Sequence, residues 1–391
     1  MAPELATILI TDGDQRAALA VVRSLGSAGH RCIVVSPSGR SIAGASRYAS
    51  IERRVPDAGR ASAAFAEAVS GAVDEYGVDV VIPVAEQTVL ALLPRRHLVR
   101  AKMPFPALDV FEAICNKEHV LQAATALGIR VPNQVTLRCP DDARGVNVSF
   151  PVVLKPTRSV FTSADGSRAK VGVRWAFTEQ EFTSELDGFP IDAYPILVQE
   201  AIEGPGIGVF LLIQDGRAVA SFSHRRLREK PPSGGVSVLS QSEPLKGELL
   251  ERSLALLNAF EWSGVAMVEY KQDKRTGEPV LMEINGRFWG SLQLAIDAGV
   301  DFPRLLVEAA LGSSAKPVHR YDIVRSRWFW GDVDNLIAQL RDPRAGARAR
   351  VAAIGEWLRA FGPGYRSEVL RARDPWPALR ETVQWFGSII R

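Results

Sequence analysis

Among 391 residues there are only three cysteines, Cys32, Cys115 and Cys139, and no two form a CxxC pair. Neither a zinc knuckle nor a dithiol redox centre is expected, and three free thiols fit a reducing compartment. No run approaches the roughly 18–20 apolar residues of a membrane span. The N-terminal MAPELATILI has an apolar stretch too short for a signal-peptide core, so a cytoplasmic protein with no membrane partner is expected. A large charge of one sign is also missing. Lys and Arg number 47 against 44 Asp and Glu, which does not predict a nucleic-acid partner. What is present is ordinary globular composition, 47% apolar and 23% charged. At roughly 100–200 residues per domain, the length calls for two or three units.

The first third alternates strands and helices. TILI at 7–10, CIVV at 32–35 and VDVVIP at 78–83 read as buried strands, with helical spacing over 16–28 and 61–75 between them. That order predicts a parallel sheet covered by helices, with any ligand at the C-terminal strand ends. The first turn, Thr11-Asp12-Gly13-Asp14-Gln15, lacks GxGxxG and sets two carboxylates where a pyrophosphate needs N–H groups, against dinucleotide binding. Glu86, after the third strand, faces either this cleft or solvent.

Asn116 reads as the N-cap of a helix that Gly128 ends, with Lys117 in its first turn. A cation gains nothing from the helix dipole there, so Lys117 is either solvated or holds an anion with the N–H groups. Lys155 ends the apolar strand FPVVLKP, where an unpaired ammonium is costly without a partner or an anionic ligand. The polar segment after it reads as a lid. PILVQEAIEG at 195–204 reads as a strand whose exposed backbone at Glu200–Ile202 can meet the edge of a base. His224–Gly235 (HRRLREKPPSGG) reads as a basic loop, either a solvated face or an anion clamp of His224, Arg225, Arg226, Arg228, Ser233, Gly234 and Gly235.

SGVAMVEY at 263–270 carries Glu269 near its end. PVLMEIN at 279–285 places Glu283 and Asn285 two apart, hence on one face of a strand, and Arg287 follows on the same alternation. An antiparallel pairing brings Glu269 beside Glu283, where the two repel without a cation between them. Two carboxylates and an amide oxygen suit magnesium (or manganese) shared with nucleotide phosphates; the competing reading pairs the acids with Arg287.

VVLKP, QEAIEG, GVAMVEYK and LMEINGRFWGS, in that order, resemble the ATP-grasp superfamily, nearest to its carbamoyl-phosphate-synthase-like carboxylate–amine ligases. The resemblance implies a Rossmann-like α/β domain at 1–110, a two-lobed α+β ATP-grasp fold with its small lobe at 111–195 and large lobe at 196–318, and an Arg/Trp-rich helical extension at 319–391. It implies ATP and Mg2+ as cofactors, and small-molecule carboxylate and amine substrates joined through an acyl phosphate. Lys117 and Lys155 resemble the phosphate-contacting lysines. Gln199, Glu200 and Ile202, with Glu203 less closely, resemble the adenine hinge. Glu269, Glu283 and Asn285 resemble the metal ligands, and Arg287 the arginine at the transferring phosphoryl group. The alternatives are a non-amine acceptor, or a nucleotide-binding regulator without chemistry. A homodimer is the assembly considered.

From residue 320 onward there are 13 Arg, no Lys and 8 Asp or Glu, with five of the eight tryptophans. That composition reads as a helical segment packing on the core through its tryptophans, rather than as a nucleic-acid stack.

Overall fold

The computed structural model describes residues 5–163, 166–313 and 316–389. Residues 1–4, in the N-terminal run, and 164–165, in the segment read as a lid, lie outside them. The first sheet holds β1 (Thr7–Ile10), β2 (Arg31–Ser36), β3 (Ala49–Arg54) and β4 (Val80–Ile82) in the order β3-β2-β1-β4. Each pairing is parallel, as the βαβ alternation predicts. The edge strand β3 has the polar sequence ASIERR and is half-exposed, so no buried-strand pattern announced it.

Asp12 explains the unusual first turn. With φ at 58° it turns its carboxylate onto the N–H groups of Val84 and Ala85 at 3.2 and 2.9 Å and onto the Thr88 hydroxyl at 2.6 Å. It thereby supplies the negative charge that the N-terminus of the helix Glu86–Leu92 favours.

The second sheet is antiparallel. It is built from β5 (Gln134–Leu137), β6 (Val152–Pro156), β9 (Arg174–Ala176) and β10 (Ile196–Glu200), ordered β5-β10-β6-β9. Between β6 and β9 lies a small hairpin of β7 (Val160–Thr162) and β8 (Arg168–Lys170). β10 pairs with β5 and β6, so Ile196–Glu200 continue this sheet rather than begin the next.

The third sheet has seven strands: β11 (Gly206–Gln214), β12 (Arg217–Lys230), β13 (Val236–Ser242), β14 (Gly264–Gln272), β15 (Pro279–Asn285), β16 (Arg325–Arg327) and β17 (Tyr365–Ser367). Their order is β15-β14-β11-β12-β13-β16-β17. Most of the segment read as a basic loop is therefore the end of β12. Its arginines alternate between two faces of a sheet instead of lining one turn.

The segment after 319 is not purely helical. It adds β16 and β17 to the large sheet and contributes the helices Phe329–Arg341, Ala347–Arg359 and Trp376–Ile389. It docks on the first sheet's helix Arg16–Ser27 through buried Arg23, which donates to the Asp374 carboxylate at 2.8 Å and to the Val369 carbonyl at 2.8 Å. Trp328 and Trp330 donate from their indole N–H groups to Glu381 and Thr382, at 2.7 and 3.0 Å. Trp328, Trp330 and Trp385, half-buried and with their N–H groups taken up, pack as the composition led one to expect, whereas Trp376 is exposed.

Candidate active site

The second and third sheets face each other across a cavity of about 360 Å3, into which β6, β10, β14 and β15 present their side chains. Lys155 stands at the end of β6, buried, and Pro156 after it keeps the chain extended. Burial lowers its ammonium pKa to about 8, against the opposing pull of Glu283. Lys117 arrives from the first turn of the helix Lys117–Ala126. The Asn116 side chain caps that helix by accepting from the N–H groups of Glu118 and His119. Its Nζ donates to Ser159 Oγ at 2.7 Å and lies 3.4 Å from the Glu283 carboxylate.

β14 and β15 run antiparallel with Glu269 directly opposite Glu283. On β15 the same face carries Asn285, whose amide donates to Glu283 at 2.9 Å. Arg287 in turn donates to the Asn285 side-chain oxygen at 2.8 Å. Burial works to raise the Glu283 pKa, but Lys117, Lys155, Asn285 and Arg287 outweigh it and bring it down to about 2. Glu269 moves the other way. Burial and the neighbouring Glu283 raise its pKa, although Arg226 opposes them. Two half-buried carboxylates facing each other with opposite shifts mark a place where charge is concentrated for use.

Two acids and an amide oxygen form a hard, all-oxygen set that fits a small divalent cation. Arg226 occupies that role at present, with two bonds of 2.7 and 2.6 Å to the two oxygens of Glu269. Gly235 accepts from Arg226 at 3.0 Å, and Ser233, Gly234 and Gly235 line the cavity beside it.

At the far end, Gln199, Glu200 and Ile202 line the cavity with Trp175 and Met282. Gln199 donates to Gln134 at 2.6 Å, Asn133 to the Glu200 carboxylate at 2.9 Å, and Lys271 to the Ile202 carbonyl at 3.2 Å. Lys271 and Trp175 went unnoticed in the sequence. Lys271 lies two residues beyond Glu269 on the same strand, so the period-two rule that paired Glu283 with Asn285 also reaches it.

Four expected residues lie elsewhere. Glu203 is exposed and does not line the cavity; its carbonyl accepts from the Lys274 N–H at 2.8 Å. His224 is buried against the edge of Phe210, at 4.7 Å between ring centroids. Burial lowers its pKa well below the usual histidine value, and it does not line the cavity. Arg225 points to the opposite face, where it binds Glu243 at 2.5 Å and Gln272 at 2.8 Å. Arg228 grips the fully buried Asp332 through two bonds of 2.6 Å, tying β12 to the C-terminal segment. Of these arginines Arg226 reaches the cleft: alternation turns Arg225 to the other face, and the irregular register of β12 between Arg226 and Glu229 carries Arg228 away to Asp332.

A second cavity of about 480 Å3 adjoins the first, and Arg287, Val236 and Gly290 line both. It opens at the C-terminal ends of the first sheet, where Asp14 and Glu86 lie, with Lys170 from β8 and Trp330 and Trp385 from the C-terminal helices. Glu86 thus faces a cleft rather than open solvent.

Residues 192–330 match a protein family described as ATP-grasp in the biosynthetic pathway with Ter operon. No curated protein matches the chain. Among solved structures, the biotin carboxylase of Campylobacter jejuni superposes with a TM-score of 0.62 at 17% identity, over 80% of this chain and 72% of that one. The L-amino acid ligase of Bacillus licheniformis gives 0.61 at 17% identity, over 80% and 75%. The N5-carboxyaminoimidazole synthetase of Staphylococcus aureus, solved with ADP, gives 0.63 at 14% identity, over 82% and 81%. Identities this low speak for the fold, and they do so over four-fifths of the chain. The resemblance read from VVLKP, GVAMVEYK and LMEINGRFWGS therefore holds: the chain has the ATP-grasp fold.

Proposed function

We propose that the protein is an ATP-dependent ligase that phosphorylates a carboxylate and couples the acyl phosphate to an amine, releasing ADP and phosphate. The observation that carries this reading is the convergence of Lys117, Lys155 and Arg287 on one half-buried acidic pair, next to a second cavity of mixed charge. A binding module needs no such set of cations, whereas a transferring phosphoryl group does.

In this reading the adenine lies against Gln199–Ile202, and the phosphates extend toward Lys117 and Lys155. A magnesium ion held by Glu269, Glu283 and Asn285 would neutralise phosphate charge. Glu269 would join that set if Arg226 released it, and Arg226 would then be free for the phosphates. Arg287, which lines both cavities, holds the carboxylate in line with the γ-phosphorus. A carboxylate oxygen forms the new bond to phosphorus as the bond to the β-phosphate bridging oxygen breaks. The amine then attacks the acyl carbon in its unprotonated form, the C–O bond to phosphate breaks with its electron pair leaving on phosphate, and the nitrogen's proton passes to that phosphate as the amide forms. Lys170 suits the anionic end of a substrate in the second cavity, and Glu86 and Asp14 suit its ammonium group.

The test is a phosphate-release screen of carboxylate–amine pairs with product mass spectrometry. Bicarbonate serves as a separate acid, because two of the similar structures are of enzymes named for carboxylation. ADP and phosphate formed only when acid and amine are both present supports the ligase. Turnover with bicarbonate alone replaces it with a carboxylating reaction. Nucleotide binding without turnover on any pair leaves a regulator.

A further inference from the structure

The C-terminal helices keep an apolar face that stays largely exposed among the described residues. On the helix Ala347–Arg359 and just past it, Val351, Ile354, Leu358 and Phe361 recur at helical spacing, and they are 70, 40, 57 and 58% exposed. On the helix Trp376–Ile389, Trp376, Leu379, Val383 and Phe386 repeat the same spacing at 61, 56, 60 and 51% exposure. The opposite faces are already employed: Ala353 is buried, and Glu381, Thr382 and Trp385 bind Trp328, Trp330 and Asp334. Phe361 and Phe386 reach back to Phe329 and Trp330, at 6.2 and 5.5 Å between ring centroids, yet both stay more than half exposed. Between the two stripes opens an apolar cavity of about 590 Å3, with Phe361, Leu370 and Leu379 in its lining.

The charges around this face are mostly positive. Between 341 and 389, all described, six arginines are exposed (341, 344, 348, 359, 366 and 373) against two exposed acids, Asp342 and Glu356. Arg348 and Arg359 sit on the helix that carries the first stripe. Large apolar side chains flanked by arginine, on helices too short and too polar to span, suit the boundary between lipid headgroups and acyl chains. No helix among the described residues is long and apolar enough to cross a membrane. We propose that this face docks the protein peripherally on an anionic lipid surface, with the arginines on the headgroups and the two stripes in the acyl boundary. A second copy of the chain is the poorer occupant, since a twofold contact sets the same arginines against one another. The earlier expectation of no membrane partner came from the lack of a spanning run, which this mode does not require.

The experiment is flotation of the whole chain with vesicles of phosphatidylglycerol or of phosphatidylcholine, at low and high salt. The expected result is flotation with phosphatidylglycerol that weakens as salt rises, and little with phosphatidylcholine. The double substitution Leu379→Glu/Val383→Glu should weaken partitioning by at least about tenfold. These side chains are already in water, so melting should hardly change. Arg348→Glu/Arg359→Glu, which leaves both stripes intact, should weaken it as well. Failure to float with phosphatidylglycerol at low salt overturns the proposal, as does flotation that neither variant alters. A dimer seen by light scattering that Leu379→Glu/Val383→Glu dissolves, without vesicle binding, assigns the face to a second copy instead.

Discussion

Arg226 and Glu269 face each other in the cleft as a two-pronged pair, at 2.7 and 2.6 Å, each side chain less than one-fifth exposed. The pair balances a carboxylate that otherwise stands directly opposite Glu283. Arg226→Met removes that balance and leaves a buried acid beside another acid, a change that typically costs about 3–5 kcal/mol. The apo protein should melt markedly lower. Magnesium with ADP should recover more of the loss than it adds to the wild type, because the metal takes the arginine's place. Calorimetry of both proteins, with and without the ligand, checks this. Unchanged apo melting would mean the pair is not what stabilises Glu269.

Lys155 gives a pH-dependent signature. Its folded pKa is lowered to about 8, from 10.5 for an unperturbed lysine, so burial of the charge costs stability at neutral pH. Between about pH 8 and 10.5 the unfolded chain binds more protons at this group than the folded one, and stability rises with pH there. Lys155→Met should therefore melt no lower than wild type at pH 7 and lose that alkaline increment. It should also lose most of its stabilisation by ATP and magnesium. A structural ion pair at Lys155 predicts the reverse, a clear drop at pH 7 with nucleotide stabilisation intact.

Glu283 behaves oppositely. Its folded pKa of about 2 lies below the ordinary 4.5, so its stabilisation is complete above about pH 4.5 and fades as pH falls toward 2. Glu283→Gln leaves Lys117 and Lys155 without their shared counter-charge. The prediction is a flatter acid limb in melting against pH, together with loss of turnover. Wild-type turnover in folded Glu283→Gln at ordinary magnesium concentration removes Glu283 from the metal set.

The arginines of β12 separate function from structure. Arg225→Ala should leave kcat/KM within about threefold of wild type, roughly 0.6 kcal/mol. Arg228→Ala should instead lower the melting temperature, because Asp332 is fully buried and among the described residues keeps only Arg327, at 2.6 Å, as its other ion-pair partner. A large kinetic effect of Arg225→Ala with unchanged stability would return Arg225 to the site.

Much of this site is legible in the sequence because period-two alternation is a local rule. It placed Glu283, Asn285 and Arg287 on one face, and the β14–β15 turn then set Glu269 opposite. The same rule applied to SFSHRRLREK divides its arginines between two faces; reading the segment as a loop because of its charge hid that. What the sequence could not show depends on distant packing. β3 is a polar edge strand, and its place follows only from its neighbour β2. Asp12 reads as an obstacle to phosphate until Val84 and Ala85, over seventy residues away, arrive to receive it. The second cavity joins Asp14 and Lys170 to Trp385, positions that no local pattern connects.

Oxygen tracing tests acyl-phosphate formation most directly. An active acid–amine pair is supplied with the acid labelled at its carboxylate oxygens with 18O, and the released phosphate is analysed by mass spectrometry. Attack of the carboxylate on the γ-phosphorus, followed by displacement of phosphate by the amine, predicts one labelled oxygen in each phosphate released and one retained in the amide. Unlabelled phosphate, with both labelled oxygens still on the acid, would contradict the account, because ATP would then have been cleaved without an acyl phosphate.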